Sequence, residues 1–349
     1  MKTKRNYNEW ILPAEWYPQS GIQLTWPHKE SEWAYMLDEV EACYIEVAKE
    51  IASRQVLLII TPEVERVSKL LASHGVDLEQ LRIFECDSND TWARDHGALT
   101  LLQGDHPIIA DFGFNGWGLK FAADLDNQIT AKTHYVGFLK GKYLNCLDFI
   151  LEGGSIESDG EGTLLTTSTC LLSPNRNDSM SIEEVEEYLK ENFSLKQILW
   201  LDSGYLAGDD TDSHIDTLAR LCDKETIAYV KCSDQEDEHF EELAEMEREL
   251  MAFRTLEGKP YKLLPLPMAD PIYNDEKQRL PATYANFLIM NKAVLYPTYN
   301  QAQNDAKAAK VLAKAFPDRE IVGIDCRALI QQHGSLHCIT MQYPVGVIE

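Results

Sequence analysis

One supersecondary unit recurs along this chain, and the recurrence restricts the fold more than any single segment does. Residues 217–221 and 226–230 read as a hairpin turning at Asp223-Lys224. An acidic helix near 236–254 follows, and then a strand at 261–264. The order returns with a hairpin of 287–290 and 293–297 around Asn291-Lys292, a helix at 306–316 and a strand at 321–325. Upstream, a strand-like run at 163–172 precedes a helix at 181–192, with Ser181 as its cap and Glu184 as the reciprocal partner, and a strand at 197–201. An interval of roughly 60 to 70 residues suits a repeated unit better than an open doubly wound sheet. The front half has room for two more units. About five of them imply a closed ring, because one unit cannot cover its own apolar face. The expectation is an α/β chain of ββαβ-like units, with residues 1–349 as one domain. A generic α+β fold is the competitor.

The front half is less regular. Residues 10–27 hold Trp10, Trp16 and Trp26 among several prolines and read as an irregular lead into a strand at 21–25. A helix at 36–51 is spaced on Val40, Tyr44, Val47 and Ile51, followed by a strand at 56–60, a helix at 64–74 and a strand at 81–86. Segments 97–102 and 107–112 form a hairpin turning at Gly104-Asp105.

Charge narrows the partners. With 57 acidic against 32 basic residues the formal charge is −25, which argues against nucleic acid or an anionic membrane and favours a cationic ligand. No basic segment followed by an apolar one opens the chain, since Lys2, Lys4, Arg5 and Glu9 are interspersed, and no apolar run reaches membrane-spanning length. A soluble cytoplasmic protein is expected. Its eight cysteines contain no Cys-x-x-Cys pair and suggest reduced thiols, neither a zinc cage nor a disulfide framework.

If the units surround an axis, equivalent turns meet there, and polar residues without local purpose collect at four places. These are Asp90 to Asp95 with Trp92, Glu152 before Gly153-Gly154, Asp209 to Asp216 with His214, and Cys338. Cys338 follows a glycine-containing turn in a run, 336–341, that reads as a strand. By itself it better describes a small hydrophobe packed in a core, and the company found upstream changes that balance. Asp216 shares a face with His214 if that segment is a strand. Each group has a plainer reading: Asp95 paired with Arg94 or capping a turn, Glu152 serving a loop backbone, His214 as a satisfied core histidine. The aspartates of 209–216 resemble a calcium loop but lack its sixth-position glycine and terminal glutamate. One thiol, one imidazole and several carboxylates with little basic counterpart suit a planar cation. Two carboxylates hold a guanidinium by paired charge-assisted hydrogen bonds, a thiolate attacks its carbon, and an imidazolium protonates the departing nitrogen. The same carboxylates raise the thiol's pKa, so the thiolate depends on the bound cation or on charged His214.

These residues carry a resemblance. Asp90-Thr91-Trp92-Ala93-Arg94-Asp95, Leu151-Glu152-Gly153-Gly154-Ser155, His214-Ile215-Asp216 and His337-Cys338-Ile339-Thr340 resemble the agmatine deiminase family, also called the Porphyromonas-type peptidyl-arginine deiminases, of the guanidine-modifying superfamily. Pro13-Ala14-Glu15-Trp16, Phe114-Asn115-Gly116-Trp117-Gly118 and 164–172 extend the likeness over nearly the whole chain. It implies a five-bladed α/β-propeller with pseudo-fivefold symmetry. By similarity Cys338 is the covalent nucleophile, His214 the general acid and then the base for water, Asp95 and Asp216 the guanidinium clamp, and Glu152 the carboxylate that orients and charges His214. Trp92 resembles a pocket wall, and Asp210 takes the place of an acid near the ligand's distal amine. The implied reaction hydrolyses agmatine to N-carbamoylputrescine and ammonia through an S-alkylthiouronium, with no metal or organic cofactor. The expected partner is a small cationic guanidine, and the resemblance leaves room for a homo-oligomer. The sequence departs from the family at Gln332-His333-Gly334-Ser335, at Ser213 and at His96-Gly97-Ala98, which bears on the distal end of the pocket. Free or peptidyl arginine is the alternative substrate, transfer of the amidino group to an amine a further reaction, and a non-catalytic guanidine or polyamine binder the alternative of another class.

Overall fold

The computed structural model describes residues 10–349; the N-terminal charges at 2–9 lie outside them. It is a mixed α/β fold of small mixed sheets, four of three strands and one of four among the described residues. Each three-stranded sheet repeats one construction: an antiparallel hairpin, then a helix that returns the chain to lay a third strand parallel to the hairpin's second.

In chain order, β1 (Gln19–Thr25), β2 (Val56–Thr61) and β3 (Leu81–Glu85) belong to the first sheet. The second holds β4 (Leu99–Gln103), β5 (His106–Gly113) and β6 (Lys142–Ile150), and the third β7 (Ile156–Ser158), β8 (Thr163–Thr167) and β9 (Gln197–Leu201). The fourth holds β10 (Ala219–Asp223), β11 (Thr226–Lys231) and β12 (Lys262–Pro267), and the fifth β13 (Leu288–Met290), β14 (Ala293–Thr298) and β15 (Glu320–Asp325). The last strand, β16 (Thr340–Pro344), returns to the first sheet and pairs antiparallel with β1, Leu24 opposite Thr340. The hairpin partner of β1 thus comes from the other end of the chain, which is why no hairpin is visible near residue 20.

The helices are amphipathic for the reason their spacing suggests. Leu37–Ala52 buries Val40, Tyr44, Val47 and Ile51 on one face, and Ile182–Phe193 buries Val185, Leu189 and Phe193 behind a complete Ser181/Glu184 capping box. Truncating one such residue, Leu189→Ala, costs about 2–5 kcal/mol. Among the described residues no helix is long and apolar enough to cross a membrane.

Several sequence expectations are corrected. The run expected as a strand over 163–172 stops at Thr167, whose hydroxyl accepts the Cys170 N–H and turns Ser168–Leu171 into a helical turn. The acidic helix begins only at Phe240, because Asp234 and Asp237 take the N–H groups of Glu236 and His239 in local turns. The helix expected at 306 starts at Ala302, with Asp305 accepting the Gln301 N–H. His214 to Asp216 is no strand: His214 precedes a helical turn, Ile215–Leu218. Cys338 is not in a strand either, since β16 begins two residues later and the thiol sits in the preceding turn.

The connections between successive sheets position the chemistry. Segments 86–98, 151–155, 202–218, 268–287 and 326–339 each end where the first strand of the next sheet, or β16, begins. They carry Asp95, Glu152, His214 with Asp216, Asn286, and Cys338 in turn.

Candidate active site

The turn bearing Cys338 is fixed by Asn286, whose Oδ1 accepts the N–H of His337 at 2.8 Å and of Cys338 at 3.4 Å. The Cys338 carbonyl accepts the Arg94 N–H at 3.0 Å, tying this turn to that of Asp95. Its Sγ lies 3.4 Å from Asn286 Oδ1 and 3.9 Å from Asp216 Oδ2. Burial, then the charges of Asp216 and Asp95, push the thiol well above its ordinary pKa. Trp92 packs against the approach to this turn; a Cβ on Gly334 would fall 2.3 Å from its ring, so only glycine admits the contact.

Asp95 stands in the helical turn Ala93–His96. Gly154 N–H donates to its Oδ1 and the Trp117 indole N–H to its Oδ2, each at 3.0 Å. Burial pushes Asp95 up to about 6 against the pull of His214. Asp216 Oδ2 accepts from His337 Nδ1 at 2.7 Å, whereas its Oδ1 is buried without a hydrogen-bond partner among the described residues. Burial resists ionisation of Asp216, but the hydrogen bond and charge of His337, then His214 and Arg220, outweigh it and hold the carboxyl below its usual range. His214 places Nε2 3.2 Å from Glu152 Oε2 and Nδ1 3.6 Å from Asp95 Oδ1, the Nδ1 making no hydrogen bond among the described residues. Burial favours neutral imidazole here, and the charge of Asp95, the Cys170 sulfur against the ring and the hydrogen bond to Glu152 overcome it, raising His214 well above its usual pKa. All three side chains converge on Gly154: a Cβ there would sit 2.6 Å from His214 Nδ1, 2.8 Å from Asp95 Oδ1 and 3.1 Å from Asp216 Oδ2.

Glu152 lies behind His214, fully buried. Arg176 Nε donates to both its oxygens at 3.1 and 2.8 Å, and Arg176 continues to Asp212 at 2.6 Å and the Thr211 carbonyl at 2.9 Å. Burial alone would neutralise Glu152; His214 and Arg176 keep it ionised. The Cys170 thiol lies 3.7 Å from Glu152 Oε2. Glu152, Cys170 and His214 offer ligand atoms within 4.8 Å of one another, but the guanidinium already spanning both Glu152 oxygens makes this an ion-pair cluster, ill suited to a second cation.

Cys338, Trp92, Asp95 and Asp210 line one narrow cavity together with Trp117 and Phe121. The cavity is acidic, with Glu32 and Asp90 near Asp210 in its lining. Burial pushes Asp90 up to about 6, while hydrogen bonds from Thr91 pull the other way. Among the described residues no lysine or arginine lines this cavity; His333 does, its Nδ1 2.7 Å from the Gly208 carbonyl. A roomier cavity of about 940 Å³, between Tyr35, Glu39, Cys43, Tyr273 and Arg327, contains no imidazole among its described lining groups.

The structure therefore brings the sequence-derived candidates into one neighbourhood: Cys338, Asp95, Trp92 and Asp210 on the cavity, Asp216 against the thiol, His214 against Asp95, and Glu152 behind His214. Sequence reading assigned no part to Asn286, Arg176, Cys170, Trp117 or His337. Trp117 and His337 lie inside quoted motifs, so position in a motif was the available signal. Arg176 and Asn286 belong to connections without any pattern, and only folding discloses them.

Known proteins share this framework. A sequence profile of the Porphyromonas-type peptidyl-arginine deiminase family matches residues 11–344. A crystal structure titled "Putative Arginine Deiminase" from Porphyromonas gingivalis is 53% identical, with a TM-score of 0.92 over 97% of this chain and 100% of that one. The substrate-bound C. jejuni agmatine deiminase is 41% identical, with a TM-score of 0.87 over 96% of each chain. The Marinomonas sp. (strain MWYL1) protein named "Putative agmatine deiminase" is 32% identical over 95% of this chain and 94% of its own length.

Proposed function

The chain belongs to the Porphyromonas-type peptidyl-arginine deiminase family, hydrolases of carbon–nitrogen bonds in guanidino groups, and from that premise we propose that it converts agmatine and water to N-carbamoylputrescine and ammonia. The observation that carries the reading is a buried oxygen that no described protein group satisfies, Asp216 Oδ1, on the carboxylate whose other oxygen lies 3.9 Å from the thiol, together with the unbonded Nδ1 of His214. A buried carboxylate oxygen without a donor is costly, and a guanidinium N–H supplies the donor.

Asp95 and Asp216 grip the guanidinium and set its carbon before Cys338 Sγ. The entering cation offsets the two carboxylates that raise the thiol's pKa, so the thiol proton leaves to solvent and the thiolate forms on binding. Sulfur then bonds to the guanidinium carbon. His214 delivers its proton to the departing nitrogen, the C–N bond breaks and ammonia leaves an S-alkylthiouronium on Cys338. Neutral His214 takes a proton from water, whose oxygen bonds to the same carbon as the C–S bond breaks; the ureido product leaves and the thiol is restored. Glu152, held by Arg176, keeps His214 oriented and charged between turnovers, and Trp92 walls the cavity.

The acidic cavity favours agmatine over arginine. Glu32, Asp90 and Asp210 attract a distal ammonium, whereas an α-carboxylate within about 4 Å of one such acid meets ~4 kcal/mol of repulsion at an effective dielectric near 20. Ammonia release from agmatine, arginine and a C-terminal arginine peptide, run side by side, tests this. Agmatine is expected to lead in kcat/KM by on the order of a thousandfold, the ratio that ~4 kcal/mol represents; intact agmatine, or arginine in the lead, overturns the substrate. Around this site we read the repeated sheets as the blades of one five-bladed propeller spanning the chain, closed by β16 on β1. It acts in the cytoplasm on a small guanidine without a metal or organic cofactor, engaging no nucleic acid or membrane and compatible with a homo-oligomer.

A further inference from the structure

Next to the proposed nucleophile lies a buried charge cluster that the chemistry above leaves unused. His337 Nδ1 is 2.7 Å from Asp216 Oδ2, while its Nε2 is 2.9 Å from Glu15 Oε2 and 3.1 Å from an Arg220 nitrogen. Arg220 also donates to Glu15 and Glu157, and Glu15 Oε1 accepts the Ile289 N–H at 2.6 Å. All four side chains are buried, and they come from the N-terminal segment, β7, β10 and the turn before β16. Glu15 and Arg220 thus touch the imidazole ring directly, and Glu157 reaches it through Arg220.

We propose that His337 is a positioning residue for the guanidinium clamp: its Nδ1–H locks Asp216 Oδ2, leaving Oδ1 as the unengaged acceptor, while Nε2 is anchored between Glu15 and Arg220, donating to the first when the ring is charged and accepting from the second when it is neutral. An ionised carboxylate only accepts hydrogen bonds, so the proton on this contact belongs to Nδ1. That donation favours the charged clamp and fixes its rotation, as an outer group does for a metal-binding or catalytic carboxylate. The other charged or titratable groups facing Asp216 are His214 from its own turn, Arg220 from β10, Arg94 and Asp95 from the turn before β4, and Cys338. Of these, His337 alone hydrogen-bonds its carboxylate at ordinary N–H···O distance.

The role rests on the reading of Asp216 as part of the clamp, and two substitutions separate it from a packing role. His337→Asn sets a side-chain amide where Nδ1 lies, whereas His337→Gln reaches toward Nε2 and loses the donor to Asp216. Ammonia release from agmatine is measured across pH for wild type and both variants, with thermal unfolding of each. His337→Gln is expected to raise KM by about tenfold or more with less change in kcat, and to move the acid limb of kcat/KM to higher pH, since Asp216 without its donor protonates more readily. His337→Asn is expected to hold KM within about threefold and to keep the limb. Equal effects in both variants, no effect in either, or loss of the fold in both overturns the proposal. A wild type that neither binds nor deiminates any guanidine is a different failure: it removes the clamp itself.

Discussion

Cys338 and Cys170 are both buried thiols beside a carboxylate of the same site, the first 3.9 Å from Asp216 and the second 3.7 Å from Glu152. Burial raises the pKa of each. Their surroundings differ in what remains unengaged. Cys170 is 0% exposed, its carboxylate is saturated by Arg176 and His214, and it lines none of the cavities described. Cys338 is 5% exposed, lines the acidic cavity, and faces a carboxylate with one oxygen still unpaired among the described residues. Under the proposed chemistry, a buried thiol with an acid beside it is not enough for nucleophilic attack. It also needs room for an electrophile and partners left free to hold one.

Substitutions sharpen that contrast, beginning with the thiol itself. Cys338→Ala should remove turnover of agmatine by at least ~10³-fold in an ammonia assay, because no other group replaces the C–S bond. His214→Asn should lower kcat by about 10² to 10⁴, the usual worth of a positioned acid, in steady-state kinetics. Asp95→Asn should raise KM by roughly tenfold or more, the loss of one charge-assisted hydrogen bond. For wild type, kcat/KM should fall as pH drops through about 6: Asp95, pushed up to about 6, loses its charge and its grip on the cation below that pH, and the Asp95→Asn variant should lack this component. The smallest effect belongs to Cys170→Ala. Its thiol makes a long contact to Glu152 and lies against the His214 ring, but Glu152 keeps both Arg176 and His214 without it, so kcat should stay within about tenfold of wild type.

Much of this site was legible because its chemistry is concentrated in short motifs. The repeat of hairpin, helix and strand disclosed the units of the second half, since a 2.0 period followed by a 3.6 period survives without tertiary context. It disclosed less of the first sheet, where β1 pairs with β16 across almost the whole chain, a long-range closure that no local pattern encodes. Cys338, Asp95, His214 and Asp216 were named correctly as neighbours, although the segment of Cys338 was read as a strand and that of His214 and Asp216 was entertained as one. There, alternation of apolar residues at 336–341 was overridden by Asn286, which captures the N–H groups of His337 and Cys338 and holds a turn. Arg176 remained invisible because a lone arginine in a polar connection has no period and no motif; only burial against Glu152 gives it meaning.

The most direct test of the account is chemical mapping of the covalent intermediate. Wild-type protein is mixed with agmatine, quenched in acid within the first turnover and digested for peptide mass spectrometry. An amidine adduct on the peptide containing Cys338, with the Cys170 peptide unmodified, is the predicted result. An adduct on Cys170, or a Cys338→Ala protein that still turns over agmatine, would contradict it.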